Sequence, residues 1–317
     1  MSRMMLGVLA AFGLVLAPAA VTGQDRAPPG QTGETKDRLS DDRMSELVEV
    51  PIAAVEERGL TAGKAAFDRL LNAARRAHGA GSVEVADLLT SFGVRLYLLG
   101  ASSNDRVLRE ASFFYLETAI QAYRAAFGPA HPEVALALNT YANGQYSFYE
   151  NDPPPSVDAA LEEAYRIRLA AFGPTNPETL ASLRYLARIK GHPTRTRGDP
   201  ARIDAAADLF RRLVANSSND QRLRDESAPY ARTAFARMYA RNHMAAEARE
   251  QLRLAAMQAA GWGELERCLF AGHETAEVEA LIAGRAMDAP ETVEAKLAAG
   301  DRCYDTIVPA EADTPDT

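Results

Sequence analysis

The chain has 317 residues, 47% of them hydrophobic and 25% charged, which is the composition of an ordinary globular protein. Its length suits one large domain or a repeat array with a small additional module. The net charge is −8, and acidic and basic residues are mixed along the chain without a basic face, which argues against a nucleic-acid partner. Aromatic residues are only 7% and alanine is abundant, which favours closely packed helices over a β-sandwich.

The first 23 residues have the pattern of a secretory signal peptide. Arg3 precedes an uncharged stretch whose apolar part reads LGVLAAFGLVL, and small residues follow it. A positive start, a short apolar run and a small-residue exit are the parts of a cleavable signal, and we expect cleavage after Gly23. The apolar run is too short for a comfortable membrane span, so no stable span is expected after cleavage. Slightly earlier cleavage and an uncleaved amino-terminal anchor are the alternatives.

Both ends of the remaining chain are predicted to be loosely structured. Residues 24–43 are polar and contain two prolines, two glycines and a single leucine, so we expect a disordered tether there. Residues 304–317 are acidic and contain proline, which predicts a disordered tail. We assign residues 44–260 to a helical repeat array and residues 261–303 to a helical segment that caps it.

The apolar residues of the array recur with a helical period. In one stretch they are spaced i, i+3, i+4, i+7 and i+11, which places them on one face of a helix. These residues are Leu116, Ala119, Ile120, Tyr123 and Phe127. No stretch shows the convincing alternation of a half-buried strand, so the sequence predicts an all-α fold.

A nine-residue segment is repeated along the chain. FGPAHPEVA begins at Phe127 and FGPTNPETL begins at Phe172, 45 residues later, with five of nine positions identical. A degenerate copy, HGAGSVEVA, begins at His78. Self-similarity at such a period indicates stacked helical repeats.

Each copy has the features of a junction between two helices. Its glycine is expected to adopt the left-handed conformation that ends one helix. The residue three positions later stands at the cap of the next helix, and the following proline occupies the first helical position. So short a turn favours two adjacent antiparallel helices. The equivalent pairs are Gly128 and Gly173, His131 and Asn176, and Pro132 and Pro177.

This junction resembles that of tetratricopeptide repeats of the kinesin-light-chain type, which carry a glycine-proline-x-histidine-proline motif. The similarity covers about residues 60–190 and includes GPAHPEVALALNTYA from Gly128. It implies an α-solenoid of antiparallel helix pairs whose first helices line a concave groove for an extended peptide or a protein. Polar residues of those helices would then contact the partner. They are Asn139, Asn143, Arg184 and Arg188.

The chain changes character after residue 190. GHPTRTRGDP reads as a loop, and helices are expected at about 202–215, 223–241 and 244–259. The sequence Gly261-Trp262-Gly263 then breaks the pattern, and two or three short helices are expected over residues 264–303.

The chain contains two cysteines, Cys268 and Cys303. In an exported protein they are a candidate disulfide, and two separate buried thiols are the alternative. Trp262, the one tryptophan, is expected to pack in the core of the cap.

The sequence predicts no catalytic, metal or cofactor site. No two histidines have the spacing of a helical metal pair, and neither a phosphate-binding loop nor a nucleophile elbow is present. We therefore expect a non-catalytic protein-interaction module, periplasmic or secreted. A self-associating envelope scaffold or assembly factor is the alternative, and an unrecognised site around His273, Glu274 and Trp262 is a weaker one.

Overall fold

The computed structural model describes residues 41–149, 154–219 and 227–307. Within these ranges every regular element is helical, so the predicted all-α class is confirmed. The predicted signal peptide and residues 308–317 of the predicted tail lie outside the described residues, as does the predicted tether up to residue 40. Asp41 begins the first helix, so the last three residues of the predicted tether are helical.

The chain divides into two compact units, with the boundary between Ala171 and Phe172. In unit 1, α1 packs on α2 and α3, α3 packs on α4, and α4 packs on α5, so consecutive helices are paired as the sequence predicts. The helices of unit 1 are α1 (Asp41–Arg58), α2 (Leu60–His78), α3 (Val83–Ser102), α4 (Arg106–Phe127), α5 (Pro132–Tyr149) and α6 (Pro155–Phe172).

Aromatic side chains form the centre of unit 1. The rings of Phe67 and Phe92 stack with centroids 4.0 Å apart, and Tyr115 meets them edge-on at 5.4 and 4.9 Å. This cluster joins α2, α3 and α4. A buried hydrogen bond adds a polar constraint, because the Tyr123 hydroxyl donates to Asp87 Oδ1 at 2.5 Å. Burial and the Asp87 carboxylate both raise the pKa of Tyr123, so its hydroxyl keeps the donated proton.

Unit 2 continues the pairing of helices. Here α7 packs on α9, α10 packs on α9, α11 and α12, and α12 packs on α13. Its helices are α7 (Pro177–Lys190), α8 (Pro193–Thr196), α9 (Pro200–Ser218), α10 (Ala228–Arg241), α11 (Ala245–Gln258), α12 (Glu264–Ile282) and α13 (Pro290–Ile307), with a short 3-10 turn at Ala259–Gly261.

Two expectations for this unit need correction. The segment predicted as a loop after residue 190 contains the one-turn helix α8. Residues 264–303 do not form short helices, because α12 and α13 have 19 and 18 residues. Gly272 lies within α12, and a Cβ atom there would lie only 2.8 Å from the Ala299 side chain of α13. This glycine permits close packing of the two helices.

The helix junctions have the predicted caps. The backbone amide of Glu133 donates to His131 Nδ1 at 3.2 Å, and that of Glu178 donates to Asn176 Oδ1 at 2.8 Å. Pro132 and Pro177 begin α5 and α7, so the predicted first helical positions are confirmed. Each proline occupies a position whose amide has no acceptor within its own helix.

The glycine conformation differs from the expected one. Gly128 has φ 87° and ψ 160°, so φ is positive as predicted but ψ is extended and not left-handed helical. Gly79 has the same backbone geometry. Gly59, between α1 and α2, also has this geometry, although the sequence did not predict a junction glycine there. Gly173 also has a positive φ of 80°. This region of backbone space is essentially restricted to glycine.

Gly128→Ala should destabilise unit 1 by about 1–3 kcal/mol, because alanine is strained in this backbone conformation. No atom lies within 4 Å of a Cβ at this position, so the cost comes from the backbone alone. The midpoint of urea denaturation measures it. The matched control is Gly263→Ala, which has equally open space but φ −56° and ψ 149°. Equal shifts in the two variants would contradict the assignment.

Candidate functional site

Two of the predicted partner contacts, Asn139 and Asn143, are buried in the structure. Their side chains lie on α5 and are only 5% and 8% exposed. Both side chains therefore lie mainly in contacts inside unit 1. The structure offers little of either side chain to a partner, and we do not include them in the candidate site.

The other two predicted contacts, Arg184 and Arg188, lie on α7 in unit 2. Both guanidinium groups lie over the ring of Tyr185, at 5.8 and 5.3 Å from its centroid. Such distances allow cation–π attraction, which holds the two long side chains in place. Arg184 is exposed and Arg188 is half-buried. The structure therefore brings this pair together, whereas Asn139 and Asn143 belong to unit 1.

Arg184 lines a cleft in unit 2 with a volume of about 180 Å³. The walls come from α7, the end of α9 and the beginning of α10. Most of the lining is apolar, and Arg184 contributes the charged group. The lining residues are Pro177, Leu180, Ala181, Arg184, Leu213, Ser217, Ser227, Tyr230 and Ala231.

Tyr230 extends this cleft into an aromatic cluster. Its ring centroid is 5.7 Å from that of Trp262 and 5.2 Å from that of Phe270, and the latter two are 4.9 Å apart. Phe270 is buried, and Trp262 packs on the small core of Ala255, Ala259 and Phe270. The predicted packing of Trp262 is thus confirmed. Tyr230 itself is 48% exposed, so its ring packs on Trp262 and Phe270 and still has surface that is accessible to a ligand.

The hydroxyl of Tyr230 remains a hydrogen-bonding group over the physiological pH range. Burial raises its pKa, and the nearby carboxylates of Glu274 and Glu266 raise it further. The side chain therefore presents a neutral hydroxyl on an apolar ring, which suits it to contact both polar and apolar groups of a ligand.

A partly buried ion-pair network holds the helices behind this cluster. Arg237 of α10 donates to Glu274 and Glu277 of α12, at 2.6 Å each, and Lys296 of α13 donates to Glu277. Burial alone would raise the pKa of Glu277, but the hydrogen bonds and charges of Lys296 and Arg237 outweigh it and lower the pKa. Glu277 is therefore ionised at neutral pH. The network connects three helices of unit 2.

The predicted disulfide is present between Cys268 and Cys303. It joins α12 to α13 with a Cα–Cα distance of 5.8 Å, which is common for disulfides. Cys268 lies two residues before Phe270, so the bridge restrains the part of α12 that supports the aromatic cluster. This long-range connection fixes the position from which Phe270 contacts Tyr230.

The structure gives different contacts to two residues of the weaker enzyme hypothesis. Trp262 packs with Tyr230 and Phe270, whereas Glu274 is paired with Arg237. Among the described residues, no group of three or more histidine, cysteine, aspartate or glutamate side chains is placed to hold a metal ion. In the same part of the chain, no helix has the length and apolar character required to cross a membrane.

No family model matches the chain, and no curated protein matches it. The arguments about function below therefore rest on the residues and the geometry of this chain.

Removing the disulfide should lower the stability of unit 2. The variant carrying Cys268→Ala and Cys303→Ala should lose about 3–4 kcal/mol in the chain-entropy model, a decrease in Tm of roughly 8–12 °C. Thermal unfolding followed by Trp262 fluorescence measures the change. Reductant should lower the Tm of the wild type similarly and leave that of the double variant unchanged. An equal effect of reductant on both proteins would contradict a stabilising role of the bridge.

Proposed function

We propose that the chain is a non-catalytic interaction module that binds a peptide or protein segment in the α7–α10 cleft and on the aromatic cluster. The proposal rests on the position of Tyr230, whose side chain lines the cleft and is about half exposed. Its ring is supported by Trp262 and Phe270, so little entropy is lost when a ligand packs against its open face. Rigid, half-exposed aromatic residues beside a pocket are characteristic of the residues that dominate binding energy at interfaces.

The lining of the cleft suggests what the ligand segment contains. Leu180, Leu213 and Ala231 provide apolar walls, and the volume of about 180 Å³ suits one or two side chains. Arg184 stands in the same cleft and provides paired donors for a carboxylate. We therefore propose a segment with an apolar side chain in the cleft and an acidic group near Arg184.

The resemblance of the junctions to tetratricopeptide repeats supports the same proposal. The glycine, cap and proline positions recur at both Gly128 and Gly173, and repeats of this type stack into surfaces that bind extended segments. We propose that the helix pairs are such repeats. The ligand site then differs from the one expected from the resemblance, since it uses Arg184 and Tyr230 and not the buried asparagines.

We also propose that the protein is exported to the periplasm or secreted. The pattern of residues 1–23 supports this proposal, and so does the disulfide, because disulfides persist in oxidising compartments. Mass spectrometry of the protein from fractionated cells tests it. A chain that begins at Gln24 and is found in the envelope fraction or the medium is expected. The full chain, retained in the cell interior with reduced cysteines, would contradict export.

Substitutions at the cleft should weaken partner binding. Tyr230→Ala should reduce the affinity about 30-fold, which is the effect of removing an interface hot spot. Arg184→Ala should reduce it about tenfold, because a charge-assisted hydrogen bond is lost. The partner is first captured from envelope extract and identified. Its affinity for each purified variant is then measured by calorimetry, and a change in Trp262 fluorescence on binding indicates contact near the cluster.

Matched controls separate this site from general effects. Tyr149→Ala removes a tyrosine that is 39% exposed in unit 1, and Arg212→Ala removes an exposed arginine of α9 that does not line the cleft. Both should bind the partner as the wild type does. If all four variants bind equally, the proposed cleft is excluded. A concentration-dependent increase in mass by light scattering would then favour the self-associating scaffold.

A further inference from the structure

A second cavity of unit 2, with a volume of about 370 Å³, lies between α9, α10 and α11. It shares no lining residue with the cleft described above, and its polar lining is different. Two arginines, a tyrosine, a serine and a glutamine converge on it. They are Arg211, Arg232, Tyr239, Ser218 and Gln251.

Arg232 is bonded only to neutral groups in this cavity. Its Nε donates to Gln258 Oε1 at 2.9 Å, and its Nη1 donates to Gln251 Oε1 at 3.0 Å. The Gln258 amide in turn lies 3.4 Å from Ser218 Oγ. These bonds orient the guanidinium without neutralising its charge. Among the described residues no acceptor is bonded to its Nη2 group, so both N–H donors of that group remain for a ligand.

Two other partly buried arginines of this protein are bonded to carboxylates. Arg237 is bonded to the carboxylates of Glu274 and Glu277, and Arg124 in unit 1 is bonded to both oxygens of Glu163. Arg232 differs, because burial lowers its pKa and the through-space effect of Glu250 opposes this only in part. A partly desolvated cation without a direct counterion gains more from an incoming anion than a paired one does.

Of the residues that the structure describes, the carboxylates around the cavity are engaged elsewhere or exposed. Both oxygens of Glu250 accept from Arg253, at 2.7 and 2.8 Å, and Asp208 is paired with Arg211. Asp204 and Glu247 act on Tyr239 only through space, and both are exposed, so solvent screens them.

Tyr239 adds a neutral donor to the cavity. Burial raises its pKa, which keeps the hydroxyl protonated, although the charge of Arg211 and its hydrogen bond to the hydroxyl act in the opposite direction. A ligand in the cavity therefore meets one arginine oriented by two glutamines, a second arginine and a phenol.

We propose that this cavity binds an oxyanion, a carboxylate or phosphate group, with Arg232 as the principal ligand and Arg211 and Tyr239 as supporting ones. The planar guanidinium matches two oxygens of such a group. This site is independent of the peptide-binding cleft. The two possible sources of the group, an acidic side chain of a bound protein and a free phosphate, are distinguished by the arms of the experiment.

Calorimetric titrations of the purified protein with inorganic phosphate and with succinate test the proposal, with potassium chloride at matched ionic strength as the blank. We expect saturable binding of at least one anion and a rise in Tm with its concentration. Stronger binding of phosphate indicates a free phosphate as the source, and stronger binding of succinate indicates an acidic side chain. The absence of binding above the chloride blank for both anions would overturn the proposal.

Variants then locate the site. Arg232→Gln should weaken anion binding at least tenfold, which is about the contribution of a charge-assisted hydrogen bond. The matched control, Arg249→Gln, removes a charge from α11 outside the cavity, where Arg249 is paired with Glu279, and should leave affinity unchanged. Tyr230→Ala should also leave the anion affinity unchanged. The anion site and the peptide-binding cleft can therefore fail independently of each other. Equal affinity in Arg232→Gln and the wild type would place the anion elsewhere.

The folding of Arg232→Gln is checked by circular dichroism. If this variant is unfolded, Arg232→Lys replaces it, because lysine keeps the charge but loses the planar pair of donors. Anion affinity should then fall several-fold. An unchanged affinity in a folded Arg232→Lys, together with an unchanged affinity in Arg211→Gln, would overturn the assignment to this cavity.

Discussion

The fold depends on one backbone constraint, the need to stop a helix and begin another within a few residues. Gly59, Gly79 and Gly128 meet it with a positive φ and an extended ψ, and Gly173 shares the positive φ. This conformation turns the chain sharply without a side chain in the way. After Gly128, the His131 cap and Pro132 start α5, and α4 and α5 then pack on each other and bury their apolar faces.

The sequence predicts features that depend on neighbouring residues and misses those that depend on distant ones. The caps at His131 and Asn176 are readable because each requires only the next few residues. Gly59 has the same conformation as Gly128 but no proline after it, so no local pattern indicates it. The cluster of Tyr230, Trp262 and Phe270 joins positions up to 40 residues apart, and nothing in their spacing predicts that they meet.

The burial of Asn139 and Asn143 could not be predicted from the sequence. Asn139 and Asn143 are polar residues on a helix expected to line a groove, and a polar side chain is usually exposed. Only the packing around α5 determines that both lie inside. Gly272 lies within α12, where a glycine normally weakens a helix, yet here it allows the Ala299 side chain of α13 to approach. In both cases the deciding contact lies on another element.

The two sites proposed for unit 2 are both built on α10, on different sides of the same helix. Tyr230 and Arg232 are two positions apart, and two residues of an α-helix rotate the side-chain direction by about 200°. One side chain therefore faces the apolar cleft, while the other faces the polar cavity. What distinguishes a binding arginine from a structural one here is its partner. Arg237 is held by carboxylates and connects helices, whereas Arg232 is held by amides that orient its charge and leave it available to an incoming anion.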